Sequence, residues 1–108
     1  HAVEFIHANK TRPFFLYVPH EAPHYPYQGP ADPPHRTVNG EFNNKGTRTD
    51  TKEAYREMVG EMDKGVGAII DALSEASILD NTIVIFCSDN GATTLGSNGA
   101  LRGYKGTN

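Results

Sequence analysis

Two apolar runs that do not alternate, Phe14-Phe15-Leu16-Tyr17-Val18 and Thr82-Ile83-Val84-Ile85-Phe86-Cys87, constrain this chain more than any other feature in it. A strand with one wet face alternates apolar and polar residues. One that reads apolar throughout is built to be covered on both faces, as in a parallel sheet between helices. The stretch between the runs has a different period. Met58, Met62, Val66, Ile69, Ile70 and Leu73 recur at steps of three and four, one apolar stripe along a long helix, while Glu57, Glu61, Lys64, Asp71 and Glu75 fall largely elsewhere. Asp50-Thr51-Lys52-Glu53 is a variant of the capping box and predicts the helix start, with the end near Ser77. Gly60, Gly65 and Gly67 each cost ~1 kcal/mol relative to alanine, so the helix is expected to lean on close packing against a sheet. A shorter helical pattern at residues 2–8, with Val3 and Ile6 on one side and Asn9 and Pro13 ending it, reads as the tail of a helix that starts upstream.

Helix then strand is an α/β theme, and it is incomplete. Two such strands and one long helix cannot cover both faces of a parallel sheet, which needs helices on each side and flanking strands. A chain of 108 residues is long enough for a small domain, but its elements predict a piece of a larger one.

The charge pattern narrows the partners. A net charge of -3 with no run of Lys or Arg gives no electrostatic footprint for nucleic acid or for an anionic membrane surface. No apolar stretch approaches the ~20 residues of a membrane span. The opening residues HAVEFIHANKTRP lack the charged and apolar regions of a signal peptide. The single cysteine, Cys87, excludes an internal disulfide and leaves the redox compartment open.

Three segments carry candidate chemistry. Ser88-Asp89-Asn90-Gly91 follows the second strand, at the carboxyl end where open α/β sheets place ligands. A carboxylate and an amide oxygen side by side are hard oxygen ligands of the kind calcium or magnesium takes, and Gly91 lets the chain bend around an ion; the same tetrapeptide is also common turn chemistry. His20-Glu21-Ala22-Pro23-His24-Tyr25-Pro26 follows the first strand, within a proline-rich segment whose polar continuation runs to about Asp50. Imidazole can protonate a leaving oxygen or bind an oxyanion. No third nitrogen or sulfur ligand stands at zinc spacing, and histidines in such loops are also found merely solvated. Leu101-Arg102-Gly103-Tyr104-Lys105-Gly106-Thr107 sets a lysine, a compact positive charge, among glycines that allow close approach to an anion. The spacing is not that of a P-loop, and an exposed loop lysine is the plainer reading.

In this order the motifs resemble the sulfatase family of the alkaline-phosphatase-like superfamily, nearest to its arylsulfatase and N-acetylhexosamine-sulfatase type. The resemblance rests on Pro13 through Val18 with Ala22-Pro23-His24-Tyr25-Pro26, on Tyr55 through Asp63, on Asp80 through Gly91 and on Leu101 through Asn108. It implies a partial three-layer α/β/α sandwich with a largely parallel sheet, and an internal fragment (1–108) of a sulfatase catalytic domain. It further implies that Asp89 and Asn90 bind an active-site Ca2+ completed by ligands outside this chain. His24 would touch sulfate and protonate the leaving alcohol, Lys105 would contact sulfate oxygens, and His20 matches only loosely. The family's nucleophile is a formylglycine made within a Cys/Ser-X-Pro-X-Arg motif. That motif does not occur here; Cys87 sits within a strand and is expected to be a small buried core residue.

The resemblance thus implies hydrolysis of aryl or carbohydrate sulfate esters by the complete protein and an inactive isolated segment. It also implies an exported, periplasmic or extracellular, or lysosomal setting. Two other readings remain open: a phosphatase or phosphonate hydrolase of the same superfamily, and a non-catalytic relative that binds sulfated glycans.

Overall fold

A computed structural model describes residues 1–33, 46 and 48–107. Pro34, most of the polar stretch that leads to Asp50, and Asn108 lie outside the described residues. The elements are helix α1 (Ala2–Asn9), helix α2 (Thr51–Glu75) and a short 3-10 turn (Leu79–Asn81).

Helix α2 is the spine. Its start falls at Asp50, as the acid-x-x-Glu pattern predicts, and the amides of Glu53 and Ala54 bond the Asp50 carbonyl at 3.0 and 3.1 Å. The capping side-chain bond itself is not made. Arg48 takes the Asp50 carboxylate with Nε and Nη2, each at 2.7 Å, and a paired charge-assisted contact outcompetes a bond to a neutral amide. The other end closes two residues before Ser77. Ser77 adopts φ 58°, its amide reaches Ser74 O at 2.8 Å, and Ile78 N–H reaches Leu73 O at 3.0 Å, the paired bonds of a Schellman stop.

The core forms where α1 crosses the C-terminal half of α2. Ile6, Ala72 and Leu73 are buried together, with Val3, Phe14, Leu16, Ile69 and Ile78 packed around them. Full burial of one Ile or Leu side chain is worth roughly 1.5–3 kcal/mol, so these few residues dominate what holds the two helices together. Buried Asn9 closes α1 by donating to Phe5 O at 2.7 Å and accepting from Arg12 Nε at 2.8 Å.

The expected sheet is not formed among the described residues. Neither apolar run belongs to a strand ladder. In the first, Phe14, Leu16 and Val18 are half-buried, Phe14 and Leu16 against the helical core, while Phe15 and Tyr17 stay exposed, so one face is partly covered rather than two. The second is more open still, with Ile83 at 89% and Ile85 at 81% of full exposure. Cys87, expected to be buried, is exposed for the same reason: the described residues supply no layer to lie over it. Gly60 and Gly67 of α2 likewise face open space, not a packed sheet.

Candidate active site

The three candidate segments take their places from α2 and from one another. The loop after Val18 runs back along α2 from its middle toward its N-terminus. His20 Cε1 lies 3.8 Å from where a Cβ on Gly65 would stand, Gln28 N–H points at Met58 Sδ at 3.4 Å, and Tyr27 meets Tyr55 edge-on with centroids 6.0 Å apart. An ionic clamp holds the same loop. Arg48 bonds Asp32 at 2.9 Å and Glu57 at 3.2 Å as well as Asp50, tying the Gly29–Asp32 turn to the helix. The Gly29 amide, with the Arg48 guanidinium, holds the Asp32 carboxyl below the usual carboxylate range; Asp50 is lowered by the same arginine, and Arg48 itself is raised by its carboxylate partners.

Within this loop His24 is exposed, its ring 4.2 Å from that of Tyr25. Its Nδ1 lies 2.8 Å from Tyr25 O. A carbonyl only accepts, so that nitrogen carries hydrogen, and Nε2 is left as the one able to exchange a proton with a ligand.

Ser88 through Gly91 form a tight turn. The Ser88 hydroxyl accepts Gly91 N–H at 2.9 Å, Gly91 takes φ 77° as the bend requires, and Asn90 Nδ2 donates to Asp89 Oδ2 at 2.7 Å. No further hydrogen bond among the described residues engages the side-chain oxygens of Asp89 and Asn90. Both are exposed, so two hard oxygen donors stand together and face outward. As a donor set they fit a share of a calcium site. Among the described residues no group of three or more His, Cys, Asp or Glu is placed to hold a metal.

Lys105 is brought beside this turn by the backbone. Its N–H donates to Ala92 O at 2.8 Å, one residue past Gly91. It occupies the second position of the turn Tyr104–Thr107, closed by Thr107 N–H to Tyr104 O at 2.9 Å, with Gly106 third at φ 84°, where a type II turn requires glycine. Asn98 joins the two turns: Oδ1 accepts Ala92 N–H at 2.8 Å and Nδ2 donates to Gly103 O at 2.7 Å. Lys105 and the Asp89-Asn90 pair therefore sit on one knitted loop. No hydrogen bond among the described residues joins His24 to either; its link to that loop runs through aromatic packing.

Asn98, Arg48 and Tyr55 are not marked by the sequence as site builders. The Asn98-Gly99 dipeptide signals a turn, but nothing in spacing says that Asn98 reaches across to both Ala92 and Gly103. Arg48 gave no signal at all, because its three partners lie 2 to 16 positions away.

The sulfatase family's profile matches residues 1–108, and the chain belongs to that family. It is 39% identical over 97 residues to Uncharacterized sulfatase YdeN of Escherichia coli (strain K12), a match covering 87% of this chain and 16% of that protein. Identity to Arylsulfatase J of Mus musculus is 34% over 101 residues, 90% of this chain and 15% of the relative. To Arylsulfatase A of Homo sapiens it is 33% over 103 residues, 91% and 18%. The chain thus spans about a sixth of the length of these relatives. No solved structure matches. Family membership implies an alkaline-phosphatase-like fold, and the described residues form two helices and a 3-10 turn. No helix among them is long and apolar enough to cross a membrane.

Proposed function

We propose that this chain supplies one wall of the active site of a sulfuric ester hydrolase, in a partial three-layer α/β/α sandwich whose nucleophile, a formylglycine, lies outside these residues. The observation that supports the reading, together with family membership, is the bond from Lys105 N–H to Ala92 O, which brings the backbone of Lys105 to within one residue of the Ser88–Gly91 turn.

In this reading Asp89 and Asn90 contribute oxygen donors to a calcium ion, and other segments complete its roughly 6 to 8 ligands. Bound there, calcium would hold and polarise a sulfate oxygen. Lys105 faces the sulfate as a fixed positive charge, worth most where negative charge grows in the transition state. His24 delivers the proton on Nε2 to the departing alcohol, while its Nδ1–H bond to Tyr25 O fixes the ring. The substrate is an aryl or carbohydrate sulfate, met in an exported or lysosomal setting.

The experiment is parallel kinetics of the complete protein on 4-nitrophenyl sulfate and 4-nitrophenyl phosphate, before and after a calcium chelator. Sulfate preferred, activity lost to the chelator and restored by calcium, and a loss of ~10²-fold or more in kcat with Lys105→Ala would support the reading. A clear preference for phosphate, or glycan affinity with no turnover, would overturn it.

A further inference from the structure

In the reaction proposed above His24 and Lys105 meet one sulfate group, yet they stand on loops with no hydrogen bond between them among the described residues. What joins the loops is a continuous line of rings. The His24 ring lies 4.2 Å from Tyr25, Tyr25 meets Tyr27 edge-on at 6.5 Å, and Tyr27 meets Tyr55 of α2 edge-on at 6.0 Å. Tyr55 then ends on the other loop. A Cβ on Gly96 would stand 2.6 Å from the Tyr55 hydroxyl oxygen and 3.1 Å from Cζ, so the phenol lies flush against the Gly96 backbone. The same Cβ would stand 2.9 Å from that of Ala92, the residue whose carbonyl holds Lys105. Tyr55 is half-buried, and α2, which carries it, is a rigid base for both contacts.

We infer that Tyr55 is a positioning residue: its ring edge against Tyr27 and its hydroxyl against Gly96 set the spacing between the His24 loop and the loop that bears Asp89, Asn90 and Lys105. The inference rests on the reaction proposed above, in which His24 protonates the leaving group. Glycine at 96 follows from it, since any side chain there would push the phenol away and move the two loops apart.

Leaving-group dependence in the complete protein gives the test. 4-Nitrophenol departs without help from an acid, whereas a simple alcohol needs the proton, and positioned proton transfer is worth ~10²–10⁴-fold. Tyr55→Leu removes the ring edge and the hydroxyl, and should lower kcat on an alkyl or sugar sulfate at least ~10-fold more than on 4-nitrophenyl sulfate, as a misplacement of about 1 Å can cost ~10²-fold. Gly96→Ala should show the same pattern, and adding Tyr55→Phe to it should recover part of the loss by removing the nearest clashing atom, while the contacts with Cζ and Ala92 Cβ remain, a coupling expected only of groups in contact. Equal losses on both esters, or no recovery in the double variant, would mean that Tyr55 merely supports the fold. If Tyr55→Leu does not fold, the Gly96 pair decides the matter. Failure of the reaction proposed above looks different: the wild-type protein would turn over neither sulfate, and the inference would fall with it.

Discussion

Arg48 shows how far a single side chain can reach when it is placed among three carboxylates. It bonds Asp32, Asp50 and Glu57, and by doing so it takes Asp50 away from the capping role that its position before α2 suggests. Exposed ion pairs contribute little one at a time, and a shared planar guanidinium that ties a loop to a helix is the arrangement in which they matter. The sign of the pH effect follows from the directions. Asp32 and Asp50 have native pKa values held below the ordinary carboxylate value of about 3.9, so the unfolded chain binds more protons than the native one just below that pH. Their contribution is fully present above the unfolded value and is lost as pH falls through the native values. Thermal unfolding of the complete protein followed from pH 6 downward should therefore lose stability more steeply below about pH 4 than the Arg48→Met variant does. Parallel profiles would show that the clamp contributes nothing.

Helix α2 was readable in the sequence because its signals are local. The three-and-four spacing from Met58 to Leu73 and the acid at position 50 place it correctly. Its stop is subtler. Ser77 holds a left-handed conformation without being glycine, closing a Schellman motif whose accompanying apolar contact is Ile78 within the cluster around Leu73. The left-handed region costs a side-chain-bearing residue roughly 1–2 kcal/mol, partly offset by the greater freedom that glycine has when unfolded. Ser77→Gly should accordingly stabilise the protein by about 0.5–1 kcal/mol in urea unfolding, with no change in activity. A loss of stability would mean that the serine hydroxyl makes a contact of its own. The two apolar runs were also visible in the sequence, since β-branched and aromatic residues without alternation leave few alternatives. The strands expected of them are not formed among the described residues, because a strand is held by partners that can lie anywhere along a chain.

Across the chain, the described residues present a packed helical side and an open apolar side. Phe15 at 88%, Ile83 at 89% and Phe86 at 67% of full exposure are far from the surface of a finished soluble domain. The relatives are about six times as long as this chain. The 108 residues expressed alone should bind a hydrophobic dye strongly and associate at micromolar concentration, whereas the complete protein should do neither. Dye binding by the complete protein at the same level would mean that these runs stay uncovered.

From the residue order alone came α2, the expectation of an α/β theme with incomplete layers, and, through the resemblance to sulfatases, the four candidate residues His24, Asp89, Asn90 and Lys105. Each of these depends on short-range pattern: periodicity, capping, and motifs a few residues long. How those four are held relative to one another was decided only in three dimensions. The Asn98 bridge, the Lys105 bond to Ala92, the Arg48 clamp and the line of rings from His24 to Tyr55 and Gly96 join residues that the sequence sets apart. Hydrogen bonds and ring contacts act over a few ångströms of space whatever their separation along the chain, so no local pattern records them.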